Sequence, residues 1–189
     1  TMIPLKVFSK ILPVLVIVCF STVIKAQNGD QILDGIGETG MVSRYIFNGD
    51  LKDWSRNNLH GVYQGGQPKF VSDSKFNKVL SFENKKSEAL SLPSDVLVNI
   101  ESLSISSWIF SKSATKAQTY FDFEKNNTSV FTAYQAKGKL HVSLGGTALE
   151  GAILPENKWT HLVVVLDAPA KTISLYVDNK LLAEKKNVS

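Results

Sequence analysis

The sequence is poor in several things that would each point to a function. It has one cysteine, Cys19, in 189 residues, so no intrachain disulfide can form and no thiolate cluster can hold a metal. It lacks a strong charge of one sign: the formal net charge is +4, and no run of lysine and arginine forms the basic face that nucleic acid or an anionic membrane requires. Lys85-Lys86 and Lys185-Lys186 read as solvated turns. Internal repeats, low-complexity tracts and long amphipathic helical patterns are missing too. The main apolar run, Ile11 to Ile24, is interrupted by Pro13 and is short of the roughly 20 residues that cross a bilayer.

What is present begins with a leader. Lys6 and Lys10 precede that apolar run, and the small residue Ala26 precedes Gln27, which is the form of a signal peptide cleaved after residue 26. A lipoprotein reading would modify Cys19, but Val18 stands where a small residue is expected. Cleavage would remove Cys19, Lys6, Lys10 and Lys25 and no acidic residue, leaving a cysteine-free, nearly neutral chain exported to the periplasm, cell surface or medium. Residues 27–41, rich in Gly, Asp and Glu, read as an extended lead-in linker. Residues 42–189 are long enough for one domain with a substantial core.

Within that domain, short β-type runs alternate with turn residues: 42–47, 78–83, 88–93, 102–110, 118–124, 129–136, 139–145, 158–168 and 172–178. Ile173, Leu175 and Val177 alternate with Thr172, Ser174 and Tyr176, which puts one set in a core. Leu162 to Leu166 is apolar throughout, as in a central strand covered on both sides. Turns are expected at Asn48-Gly49, Lys137-Gly138, Gly145-Gly146, Pro169-Ala170 and Asp178-Asn179. Pro93 to Ile100 can form a helical turn with Ser94 as its cap. The pattern predicts an all-β fold, an antiparallel β-sandwich of the jelly-roll kind.

An ordered set of short segments carries a family resemblance: Tyr45-Ile46-Phe47-Asn48-Gly49, Asp53-Trp54-Ser55, Lys78-Val79-Leu80-Ser81-Phe82, Ser106-Ser107-Trp108-Ile109, Trp159-Thr160-His161-Leu162 and Leu175-Tyr176-Val177-Asp178-Asn179. Over residues 42–184 the chain resembles a LamG-like jelly roll of the concanavalin A-like lectin/glucanase superfamily. The lead-in and residues 44–61 are also similar to the N-terminal module of secreted bacterial glycosidases, some of which carry a β-L-arabinofuranosidase domain. The resemblance implies a non-catalytic, carbohydrate-binding accessory module whose partners are a glycan and a downstream catalytic domain. Structural or adhesive protein binding is the alternative, and a glucanase-like hydrolase the third reading. The family usually adds closing strands after the Leu-Tyr-Val-Asp-Asn hairpin; with Thr1 ahead of Met2 and the end at Ser189, the natural protein is expected to continue.

Candidate sites follow from residue chemistry. Retaining hydrolysis needs two carboxyl groups about 5–5.5 Å apart. Asp122 and Glu124 would share a strand face, but Tyr120 occupies the position of the third acid of the glucanase pattern, so no catalytic residue is assigned. His60 falls in a turn, His141 alternates on a strand, and the resemblance makes His161 structural; none has helical metal-ligand spacing. Asp53, Asp50 and Asn57 lie in an oxygen-rich loop suited to calcium, and the resemblance places Asp53 at an acidic position that some members use for metal. A sugar offers an apolar face rimmed by hydroxyls, so it needs an exposed aromatic beside amides or carboxylates. Trp54, Tyr63, Tyr134 and Gln135 are the candidates, with Trp108 and Trp159 assigned to the core. Asn126-Asn127-Thr128 fits a glycosylation sequon.

Overall fold

A computed structural model describes residues 40–83 and 88–188. The leader and most of the lead-in lie outside the described residues. Twelve strands are present among those described: β1 (Val62–Gln64), β2 (Lys69–Asp73), β3 (Asn77–Ser81), β4 (Ala89–Ser91), β5 (Leu103–Phe110), β6 (Gln118–Lys125), β7 (Thr128–Ala136), β8 (Lys139–Leu144), β9 (Thr147–Glu150), β10 (Trp159–Asp167), β11 (Thr172–Val177) and β12 (Lys180–Lys186). All pairings are antiparallel. Two four-stranded sheets, in the orders β12-β11-β10-β5 and β6-β7-β8-β9, form the body, and β1-β4 and β2-β3 make two small ribbons.

The core follows from strand alternation. Leu162 and Val164 of β10 and Ile173 and Leu175 of β11 are buried in one sheet; Phe131 and Ala133 of β7, Leu140 and Val142 of β8 and Leu149 of β9 are buried in the other. They belong to a single apolar cluster, which is the inner interface of a sandwich. Burying each large aliphatic or aromatic side chain there contributes about 1.5–3 kcal/mol. Gly151 marks where the layers come close: a Cβ on it would lie 2.9 Å from the side chains of both Leu175 and Leu182.

Tight turns set the registers. Lys137-Gly138, Gly145-Gly146 and Asp178-Asn179 each join two strands with positive φ at both residues, the backbone that two-residue hairpins demand. Asn126-Asn127 does the same between β6 and β7. A bulge beside Tyr120 shifts the β6–β7 register between Thr119 and Phe121 and turns both Tyr120 and Phe121 toward the core cluster.

Three local expectations are corrected. The run 42–47 is not a strand; it supplies one bridge, Tyr45 to Asp53, because Phe47 takes a positive φ that breaks extended pairing. Ser94 opens a 3-10 turn (Ser94–Leu97) but does not cap it, since Pro93 is the N-cap residue and no side chain bonds there. Trp108 is not a core residue: it is 46% exposed, on the outer face of β5, where Ser104, Ser106, Trp108 and Phe110 alternate with the inward Leu103, Ile105 and Ile109. Phe76, at the tip of the β2–β3 ribbon, lies between Trp108 and Trp159 with ring centroids 5.6 and 4.8 Å away, and Asp73 accepts the Trp159 indole N–H at 3.0 Å.

Candidate functional site

Asp53 is the centre of the N-terminal loop. Its Oδ1 accepts the backbone N–H groups of Arg44 and Ser55, both at 2.8 Å; its Oδ2 accepts the Ser55 hydroxyl at 2.7 Å and the Leu59 N–H at 2.9 Å. Burial pushes this carboxyl up, but the donors outweigh it and hold it below the usual carboxylate range. Both oxygens face donors, so the geometry makes Asp53 a loop anchor. Asp50 accepts the Lys52 N–H at 3.1 Å, as turn aspartates do. The Asn57 amide donates to the carbonyls of Met41 at 3.2 Å and Val42 at 2.9 Å. Among the described residues, no group of three His, Cys, Asp or Glu side chains converges as a metal site.

The sugar-binding candidates stand on different elements. Trp54 is 36% exposed on the loop beyond Asp53. Tyr63, half-buried on β1, stacks on Phe82 at 5.8 Å. Gln135 is corrected outright, since it is 1% exposed. Its amide donates to the carbonyls of Ser113 at 3.0 Å and Lys116 at 2.9 Å, and its Oε1 accepts the Tyr120 hydroxyl at 3.0 Å. It pins the β5–β6 loop from within and is not a surface ligand. Burial likewise raises the Tyr120 phenol to about 12.

Tyr134 has the richest surroundings. It alternates outward from buried Ala133 and Gln135, and sits directly opposite His141 of β8. The two rings form an offset stack, 5.1 Å between centroids and 18° between planes. The row continues to Thr119 of β6 on one side and to Glu150 of β9 on the other. The next row along the same face holds Asp122, Thr132, Ser143 and Ala148. This outer face is therefore a half-buried ring pair bordered by hydroxyls and carboxylates. Lys139 donates to Glu150 and holds its carboxyl below the usual range, while the Ser129 hydroxyl donates to Asp122 at 2.7 Å. Sequence reasoning missed His141 as Tyr134's partner. The signal was available: a two-residue turn at Lys137-Gly138 pairs Ala136 with Lys139 and, two residues further, Tyr134 with His141.

Asp122, on this face, and Glu124 are both exposed on β6. Other features lie apart from this face. His161 is half-buried, stacks on Trp108 at 4.9 Å and shares a 2.8 Å hydrogen bond with the Ser106 hydroxyl. A cavity of ≈ 370 Å³, lined by Val42, Asn57, Leu59, Asp95, Val98 and Ile100, shares no residue with the Tyr134 row.

The architecture can be set against known proteins. The laminin G-like family model described as concanavalin A-like lectin/glucanases superfamily matches residues 84–189, more than half of the chain. The chain belongs to the concanavalin A-like lectin/glucanases superfamily. The likeness of this superfamily member to domain 4 of AbnA, a GH43 extracellular arabinanase from Geobacillus stearothermophilus solved in complex with arabinotriose, has a TM-score of 0.58 at 17% identity, over 78% of this chain and 76% of that one. That is a likeness of fold. A candidate carbohydrate-binding protein from Bacteroides ovatus aligns with a TM-score of 0.40 at 20% identity, over 47% of this chain and 27% of that one. No curated protein matches the chain. A superfamily holding both lectins and glucanases leaves function to be argued from side chains.

Proposed function

We propose that this chain is a non-catalytic carbohydrate-binding module that serves a secreted glycoside hydrolase, holding the enzyme's catalytic domain close to its polysaccharide. The observation that carries this reading is the Tyr134–His141 stack on the outer face of β6–β9, with Thr119, Ser143 and Glu150 around it. Aromatic rings receive the C–H face of a sugar, and the surrounding oxygens take its hydroxyls. The similarity in fold to an arabinanase domain solved with arabinotriose supports the same class of ligand. The leader-like N-terminus supports export. Asp122 and Glu124, exposed and without a third acid in line, favour binding over hydrolysis.

The test is titration of the exported chain with a panel of plant and bacterial oligosaccharides. Tyr134→Ala is expected to weaken binding about tenfold or more, the scale of losing one central aromatic anchor, with the melting temperature little changed. Binding that survives this substitution would remove the face from the proposal. A second reading, protein docking, is favoured by the exposed Trp108 and Phe110 on the opposite sheet, because exposed apolar clusters mark interaction surfaces. It would gain if no glycan bound while a downstream domain captured the module tightly.

A further inference from the structure

The charges around the Tyr134–His141 pair select among glycans. Resting on the glycan-binding reading, we infer that this face favours uncharged sugar chains over uronates, with Asp122 and Glu150 as the specificity-determining residues.

The placement is as follows. Glu150 is the cross-strand neighbour of His141, and Asp122 lies in the next row, opposite Thr132 of the strand that carries Tyr134. Glu124, expected to share the face of Asp122, lies beyond a register shift that sets it opposite Ser129 and is off this face. A sugar resting against the ring pair therefore has carboxylates on both sides of it. The cations of this face lie toward its two ends: Lys139 is tied to Glu150, Lys137 sits in the β7–β8 turn, and Lys125 stands opposite Thr128, beyond Asp122. Asp122 has a hydroxyl partner, Ser129, and no ion-pair partner among the described residues, so its charge is uncompensated. The remaining groups, the Thr119, Ser143 and Tyr134 hydroxyls and the His141 ring, suit the hydroxyls of a neutral sugar.

A uronate differs from its neutral counterpart by a carboxylate in place of a hydroxymethyl group. Each uronate carboxylate placed about 5 Å from one of these two side chains in water-like surroundings costs roughly three- to fivefold in affinity, so a chain carrying several loses roughly three- to tenfold. These side chains are exposed, so the discrimination is screened by salt. That separates charge selection from mere shape, because a steric mismatch does not relax in salt.

The experiment uses a broad array of neutral and acidic oligosaccharides that includes matched pairs, 1,4-linked mannotriose with trimannuronate and galactotriose with trigalacturonate. Calorimetry on bound pairs follows at low and high salt, with the wild-type chain, Asp122→Asn and Glu150→Gln. The expected result is tighter binding of the neutral member of each pair, with a neutral-to-uronate ratio of about three to ten at low salt that shrinks both at high salt and in each variant. Uronates bound as well as neutral sugars, or a ratio indifferent to salt and to both substitutions, would overturn the charge selection while leaving glycan binding in place. No binding to any member overturns the glycan reading itself, and the selection with it.

Discussion

Removing the Asp53 carboxylate should unravel the loop between Arg44 and Gly61. Asp53→Ala strands three backbone N–H groups, those of Arg44, Ser55 and Leu59, together with the Ser55 hydroxyl. A hydrogen bond to a charged group is worth about 1.5–3 kcal/mol, and some freed donors recover water, so the net loss is about 3–5 kcal/mol. For a domain of this size that lowers the melting temperature by roughly 10–15 °C. Asp53→Asn keeps the acceptors for Arg44 and Ser55 but turns an N–H₂ toward the Leu59 N–H, costing about 2 kcal/mol. The pH dependence has a fixed sign. Because the folded state holds the Asp53 carboxyl below its ordinary range, its contribution is complete above an unfolded value of about 3.9 and is lost as pH falls through the lower folded value. Urea melts of the wild type and both variants at pH 7 and in acid read this directly: the advantage over Asp53→Asn should shrink in acid. Calcium or a chelator should leave the midpoints in place. An Asp53→Ala variant within 1 kcal/mol of wild type, or a calcium-dependent rise in the wild-type midpoint that disappears in it, would refute the anchor role.

Two further substitutions probe the interior. The Thr160 hydroxyl is buried opposite Ile109 without a hydrogen-bond partner among the described residues, so Thr160→Val should stabilise by about 1 kcal/mol and raise the melting midpoint by roughly 2–4 °C. Gln135→Ala should cost about 2–4 kcal/mol by leaving the Lys116 carbonyl and the Tyr120 hydroxyl unpaired, while the Ser113 carbonyl keeps the Ser111 hydroxyl and the Gln118 amide as donors; glycan titration of the folded variant should match wild type, whereas a selective loss of affinity would return Gln135 to the ligand set.

The fold was legible where periodicity was strong. β5 to β8, β10 and β11 match the predicted runs to within a residue or two, because each has alternating or continuous apolar residues closed by turn residues. β1 and β2 escaped notice because Val62-Tyr63-Gln64 is too short to show a period, and Lys69 to Asp73 mixes charged and polar residues with Phe70 and Val71. The site was less legible. Alternation says that Gln135 and Tyr134 face opposite ways, but not which faces water. A glutamine invites the outward choice; here the Lys116 carbonyl needed a donor within and the Tyr120 hydroxyl an acceptor. The same logic misled for Trp108, whose outward position is stabilised by Phe76, His161 and the Lys75 ammonium 3.5 Å above its ring, contacts between segments distant in sequence.

The strict in-and-out alternation of β7 and β8 has an evolutionary consequence. Phe131, Ala133, Leu140 and Val142 hold the sandwich together, while Thr132, Tyr134, His141 and Ser143 are interleaved with them and face away. On the proposed reading, recognition and folding are written on alternate letters of the same two strands, so the outward letters can be rewritten for another ligand while the scaffold beneath stays unchanged.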